Sequence, residues 1–351
     1  MYSRPFTTLL IVPTGIGAAV GGYAGDALPL AKAIAHVSDR LITHPNVLNG
    51  AQLYWPMDNV LYVEGYGLDR FAAGEWGLRP VRQNRVGLLL DAAIEPELRL
   101  RHLQAADAAR ATLGLDLTDY AITDVPLGVS LKTAASGATW GTLDRPDSLL
   151  RGVEALVKRA GAEAIAVVAR FPDDDGSDAL QDYRRGQGVD PLAGAEAVIS
   201  HLVVEQFGLP CAHAPALQPL PPDPALSPRA AAEELGYTFL PCVLVGLSRA
   251  PQFIQPHGGC PSNSLWVSDV DAVIIPESAC GGSAALSFGD RPTAVITVRE
   301  NTTRMRVPPE AVGLSAISVE SYLEALGTLA ALKAGVSPAS LRPAILNLAQ
   351  L

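Results

Sequence analysis

Apolar residues recur along this chain in two rhythms that alternate from one end to the other. Short β-branched and aliphatic runs at Thr7–Val12, Arg85–Leu90, Tyr120–Val125, Ala164–Ala169, Val270–Ile275 and Thr293–Val298 read as buried strands. Tyr237–Gly246 reads as another. Between these runs, apolar positions return every three or four residues. A helix capped by Asp26 carries Ala27, Leu28, Ala31, Ile34 and Ala35 on one face, and Glu97–Leu113 is a second. Arg145–Ala160 is strongly amphipathic, with Pro146 in its first turn and Gly161 past its end. Asp190 and Pro191 open a helix that runs to Gly208, and Ser318–Leu332 forms the last. Strands alternating with helices predict an α/β protein whose largely parallel sheets carry helices on both faces. Six prolines between Pro210 and Pro224 interrupt the pattern. They divide the expectation into two Rossmann-like lobes, 1–209 and 229–351, joined by a proline-rich connector at 210–228.

The polar loops between these elements nominate the chemistry. After the first strand, T-G-I-G-A-A-V-G-G-Y-A-G-D carries Thr14, Gly15, Gly17, Gly21 and Gly22 ahead of a helix. That is the context of an anion-binding loop, although the same glycines suit a tight structural turn. The spacing is not G-x-G-x-x-G, no dinucleotide-type acid is placed, and no cofactor is assigned. His44 and Asn46 lie in a donor-rich loop, and Glu64 precedes a glycine turn. Lys132 stands in a small polar segment beside Ser136. His201 and Glu205 read as an exposed i,i+4 pair on their helix, not a metal site. The densest cluster follows Val270–Ile275, where Glu277, Ser278, Cys280, Gly281, Gly282 and Ser283 occupy one turn. Glu300, Asn301 and Thr302 occupy the same place one strand later, so two parallel neighbours would bring both sets to one rim. Glycines admit a ligand to the backbone, and a thiol at such a turn would ionise more readily. His257, beside Cys260, would be a proton-transfer partner from another loop.

Composition narrows the classes. A net charge of −10 without a basic stripe argues against nucleic acid. No uncharged apolar stretch approaches a bilayer span, and no basic, apolar leader opens the chain, so no membrane association is expected. Four separated cysteines without a C-x-x-C pair fit reduced thiols in a cytoplasm better than a disulfide framework. A homo-oligomer is compatible with all of this.

Longer motifs carry a resemblance. V-P-T-G-I-G-A-A-V-G-G-Y-A-G-D-A-L-P at Val12–Pro29, T-H-P-N-V-L-N-G-A-Q-L-Y-W-P at Thr43–Pro56 and E-G-Y-G-L-D at Glu64–Asp69 are similar to a family of cyanobacterial and plastid proteins known only as a domain of unknown function. R-H-L-Q-A-A-D-A-A-R at Arg101–Arg110 and E-N-T-T-R-M at Glu300–Met305 extend the resemblance through the chain. It implies a cytosolic or stromal setting and carries no catalytic assignment.

The residues themselves favour an enzyme that hydrolyses a small anionic metabolite or transfers a group from it. Cys280 would be nucleophile or acid/base, and Glu277, Glu300 or His257 would exchange protons. Amides around Gly281–Ser283 and Gly15–Gly22 would hold the anion. Two alternatives stay open: a non-catalytic binding or regulatory protein using the same cleft, and a divalent-metal enzyme built on Asp91, Asp124, Asp173 and Glu277. No metal site is assigned.

Overall fold

The computed structural model describes residues 4–347 except 50, 175, 237, 257–262 and 346. Fourteen strands are described: β1 (Thr7–Leu10), β2 (Arg40–Thr43), β3 (Val60–Tyr62), β4 (Gly77–Arg79), β5 (Val86–Leu90), β6 (Ala121–Ile122), β7 (Val129–Thr133), β8 (Thr139–Leu143), β9 (Ala164–Arg170), β10 (Cys211–Ala216), β11 (Gln252–Ile254), β12 (Val270–Pro276), β13 (Ala294–Val298) and β14 (Ile317–Val319). Six form a parallel sheet in the order β14-β13-β12-β1-β2-β3. Four more form a second parallel sheet, β10-β9-β5-β6. Antiparallel pairs β4–β11 and β7–β8 complete the set.

Alternate residues along a strand face opposite sides of its sheet, and here both sides are buried. In the larger sheet Leu10, Leu41, Ile274 and Ile296 face one apolar cluster, while Leu9, Ile42, Val273 and Ile275 face another with Leu68, Phe71 and Phe288. Leu88, Ala166 and Val168 of the second sheet join the first of these clusters, so one core runs between the two sheets. The helix Leu240–Ser248 fills that space with Leu240, Val243, Leu244 and Leu247. The sequence predicts a strand there. Every residue of the helix except the half-buried Pro241 is buried, and an apolar run without a polar face leaves strand and helix indistinguishable by period.

The expected connector at 210–228 begins with β10, which pairs with β9 and is largely buried. The larger sheet takes β1–β3 from the start of the chain and β12–β14 from its end, and the second sheet lies between them in sequence. Read outward from β1, the larger sheet has the order 3-2-1-4-5-6, with its topological switch between β1 and β12. Ligands of open α/β sheets bind in the crevice outside the carboxyl ends of strands at such a switch.

Candidate functional site

A cavity of about 380 Å³ lies at that position. Ile11–Thr14 after β1, His44–Asn46 after β2, Glu64 after β3, Ile275 at the end of β12, and Ala279 and Gly282–Ala285 after it line one side. The helix Ala193–Phe207 supplies Glu196, Ser200 and His201 from the other side, and β10 supplies His213.

Glu64 anchors the polar part. It ends the run out of β3 and N-caps the helix Gly65–Ala73, with Oε2 accepting the amides of Tyr66 at 2.8 Å and Gly67 at 3.3 Å. Its other oxygen, Oε1, accepts from the Ser200 hydroxyl at 3.4 Å and forms a close ion pair with Nδ1 of His201. Gly65 permits this approach, because a Cβ there would stand 2.9 Å from Cε1 of His201. Burial, the largest influence on His201, opposes its charged form. The bond and charge of Glu64, joined by Asp69, outweigh burial and hold the imidazole above its ordinary value. The His201 side chain keeps 42% of its surface exposed, so the pair stands at an open wall.

His44 is the complementary group. It is buried, and its Nε2 accepts the Val12 amide at 3.0 Å, which fixes the proton on Nδ1. Burial lowers its pKa to about 4, so it is a neutral donor at physiological pH. Nδ1 of His213 meets the Ser200 hydroxyl at 3.3 Å, and Nε2 lies 3.7 Å from Glu196. Burial, then the charge on His201, pushes His213 down to about 3. Burial and the neighbouring Asp190 and Glu233 push Glu196 well up, so burial disfavours charge on both sides of the His213–Glu196 contact. Asp69 accepts the Ala284 amide at 3.1 Å, and burial raises its pKa.

Among the expected site residues, Thr14, His44, Asn46, Gly282 and Ser283 line this cavity. The rest of the glycine loop is held by protein partners. Gly15, Gly17 and Gly21 have φ of 72°, 62° and 88°, which only glycine adopts readily. The amides of Ala19, Val20 and Gly21 donate to Thr302 O, Asn301 Oδ1 and Asp26 Oδ1. Gly22 packs so tightly on Ala18 that a Cβ would stand 2.2 Å from its carbonyl oxygen. Asn301 is a buried clasp: its amide nitrogen donates to Val20 O at 2.9 Å and to the Tyr322 hydroxyl at 2.6 Å.

At the expected cysteine site, β12 and β13 are indeed parallel neighbours that leave the sheet at one rim. The side chains then diverge. Cys280 is fully buried in the apolar cluster beneath the turn, and its thiol donates toward Glu277 O at 3.5 Å. Burial, with the charges of Glu277 and Glu310, raises it to about 11, the reverse of an activated thiol. Glu277 accepts from Arg299 at 3.2 Å and Ser318 at 2.9 Å, and Glu300 accepts the Tyr322 amide at 2.7 Å. The Ser278 hydroxyl pairs with Thr303, Gly281 is exposed beside Val307, and Lys132 stands over the Trp140 ring on the β7–β8 hairpin. His257 lies outside the described residues. The four carboxylates of the metal alternative have separate partners: Asp91 accepts the amides of Leu127 and Arg170, Asp124 pairs with Arg151, Asp173 with Arg170, and Glu277 with Arg299. Among the described residues, no three His, Cys, Asp or Glu are grouped as metal ligands.

Sequence reasoning noticed Glu64 without assigning it a role, and it paired His201 with Glu205. The pairing Glu64–His201 spans more than a hundred residues, so no local spacing signals it. The one usable signal for His201 is its place beside the small residues Ala195, Ala197 and Ser200 of a tightly packed helix.

Fold and cavity together define a doubly wound α/β protein with a histidine- and carboxylate-lined crevice at its switch point. The chain belongs to the family described as "Protein of unknown function (DUF3326)", whose model matches residues 7–342. It is 64% identical over 343 residues to an uncharacterized lipoprotein of Synechococcus sp. (strain PCC 6301), covering 98% of this chain and 95% of that protein. No solved structure matches the chain.

Proposed function

We propose that this chain is an enzyme that hydrolyses a small anionic metabolite, or transfers a group from it, in the switch-point cavity. The Glu64–His201 pair is the observation that carries the reading: a carboxylate fixes Nδ1 of an imidazole at an open cavity wall, which leaves Nε2 for the substrate. In this reading a water or an acceptor hydroxyl attacks the substrate and loses its proton to solvent, while His201, protonated through Glu64, passes its Nε2 proton to the departing group. His44 keeps its proton and hydrogen-bonds a substrate oxygen through Nδ1–H, and Thr14, Asn46 and Ser283 fix orientation. Cys280 takes no part, in keeping with its buried, raised thiol. A dinucleotide role is disfavoured because Thr43-His44, not an acid, ends β2.

We propose a cytoplasmic setting, which the reduced thiols of Cys211, Cys242 and Cys280 favour. No helix among the described residues is long and apolar enough to cross a membrane. The word lipoprotein in the Synechococcus relative's name raises acylation for this chain, and Cys211, Cys242 and Cys280 are buried, so none of these three presents a thiol for it. Fractionation of cells expressing the tagged protein tests this placement, and recovery in the membrane pellet would refute it.

The test of the activity is to incubate the protein with a cyanobacterial metabolite extract and follow depletion by mass spectrometry. The wild type should consume an anionic metabolite that His201→Gln leaves untouched. Consumption of nothing, with a ligand retained by both proteins, would establish the binding-protein alternative.

A further inference from the structure

A second cavity, of about 900 Å³, lies at the carboxyl edge of the smaller sheet, beyond β9 and β10 and beneath the proline-rich segment that follows β10. Ligand pockets are typically about 300–1,000 Å³. Its walls include Leu98, Leu131, Leu180, Leu192, Leu217 and Leu220. The carboxylates and guanidinium groups among them already have protein partners. Arg184 is a buried pair with Glu234 and also donates to Pro221 O, the Tyr183 hydroxyl donates to Glu233, and Asp190 accepts the Leu192 amide. Asp173 is held by Arg170, and Asp174 accepts the amides of Gly176 and Ser177. With these charged groups occupied and leucines and prolines the commonest residues of the wall, the space suits aliphatic carbon, while Gln181, Gln218 and His102 give it a polar margin.

This cavity and the switch-point cavity share three wall residues, Pro215, Glu233 and Phe239. One cavity carries the Glu64–His201 pair at its wall, and the other is lined mainly by aliphatic side chains and is more than twice as large. We infer that the two are one binding site for an amphiphile, a carboxylate- or phosphate-headed molecule whose aliphatic chain occupies the space under the proline-rich segment. This rests on the proposed function for the head and gives its substrate class.

Straight-chain carboxylic acids from butyrate to laurate, titrated by calorimetry at fixed pH below their micellar concentrations, test the inference. Affinity should rise about fourfold per added methylene over the part of the series the cavity accommodates. Leu220→Trp and Leu180→Trp, each verified as folded by circular dichroism, should flatten that rise and leave butyrate binding unchanged. His201→Gln should weaken every member by a similar factor and keep the rise. A flat series in the wild type, or a rise that both tryptophan variants preserve, would overturn the inference. Because the rise is read from binding, it survives a failure to find turnover, so the tail site and the catalytic reading fall separately.

Discussion

His44 shows how much of the site is decided by one side chain and one backbone amide. Its folded pKa of about 4 lies below the ordinary 6.5. A histidine lowered in this way binds fewer protons folded than unfolded. Its contribution is therefore intact above about pH 6.5 and is lost as pH falls toward 4, at a cost of about 3 kcal/mol. Urea denaturation of the wild type should show this acid decline, and His44→Gln should be less stable at pH 7 yet flatter between pH 7 and 4. The raised His201 predicts the opposite limb. If it donates a proton, kcat/KM falls as pH rises through its pKa, and Glu64→Gln moves that limb to lower pH. Asn301 is a residue whose role is structural. Asn301→Ala leaves Val20 and Tyr322 with unmatched buried groups and should cost about 2–4 kcal/mol by chemical denaturation. Ser278→Ala on the same rim loses one hydroxyl contact and should cost much less.

At the scale of elements, the position of the helix Ala193–Phe207 sets the cavity, because it carries Glu196, Ser200 and His201 together. It lies so close to β8 that a Cβ on Gly194 would stand 2.2 Å from Thr139 O, and one on Gly141 would stand 2.3 Å from Cβ of Ala195. Gly194→Ala should therefore push the helix away, destabilise the fold by about 1–3 kcal/mol and weaken the His201–Glu64 pair. The contrasting case is Gly327→Ala on the helix Tyr322–Lys333, where a Cβ meets nothing within 4 Å. Helix propensity alone acts there, and the change should stabilise by about 0.5–1 kcal/mol. Thermal melts of the two variants side by side check both signs. The Ser283–Leu286 helix makes a related point: it is a single turn, too short to lower a buried thiol's pKa as the sequence suggested.

For the whole molecule, the decisive fact is that both ends of the chain build one sheet. β1 lies between β2 and β12, so more than two hundred residues separate neighbours in the ladder. The segment 217–227 is largely exposed and contains no regular element. Limited proteolysis should nick there first, and the two fragments should co-elute at the native volume in size exclusion, because each holds three strands of the same sheet. Separate elution of folded fragments would instead establish two independent lobes divided at 210–228.

The sequence by itself determined the alternation of strands and helices, and with it the α/β class. Burial on one face or both leaves a local period that is readable residue by residue, as in β5, β9, β12 and the helix Pro146–Ala160. It also determined that polar residues collect after strand ends, and it found Thr14, His44, Asn46, Gly282 and Ser283 on that ground. Only the tertiary structure decided which of these polar groups face one another. It turned Cys280 into the core, bound Asn301 to the glycine loop and brought His201 to Glu64. The reason is physical: a spacing along the chain fixes which residues share a face of one element. The contact between Glu64 and His201 depends on how a helix from the second sheet packs across the carboxyl edge of the first, and that is set by side-chain volume and glycine gaps far from either residue.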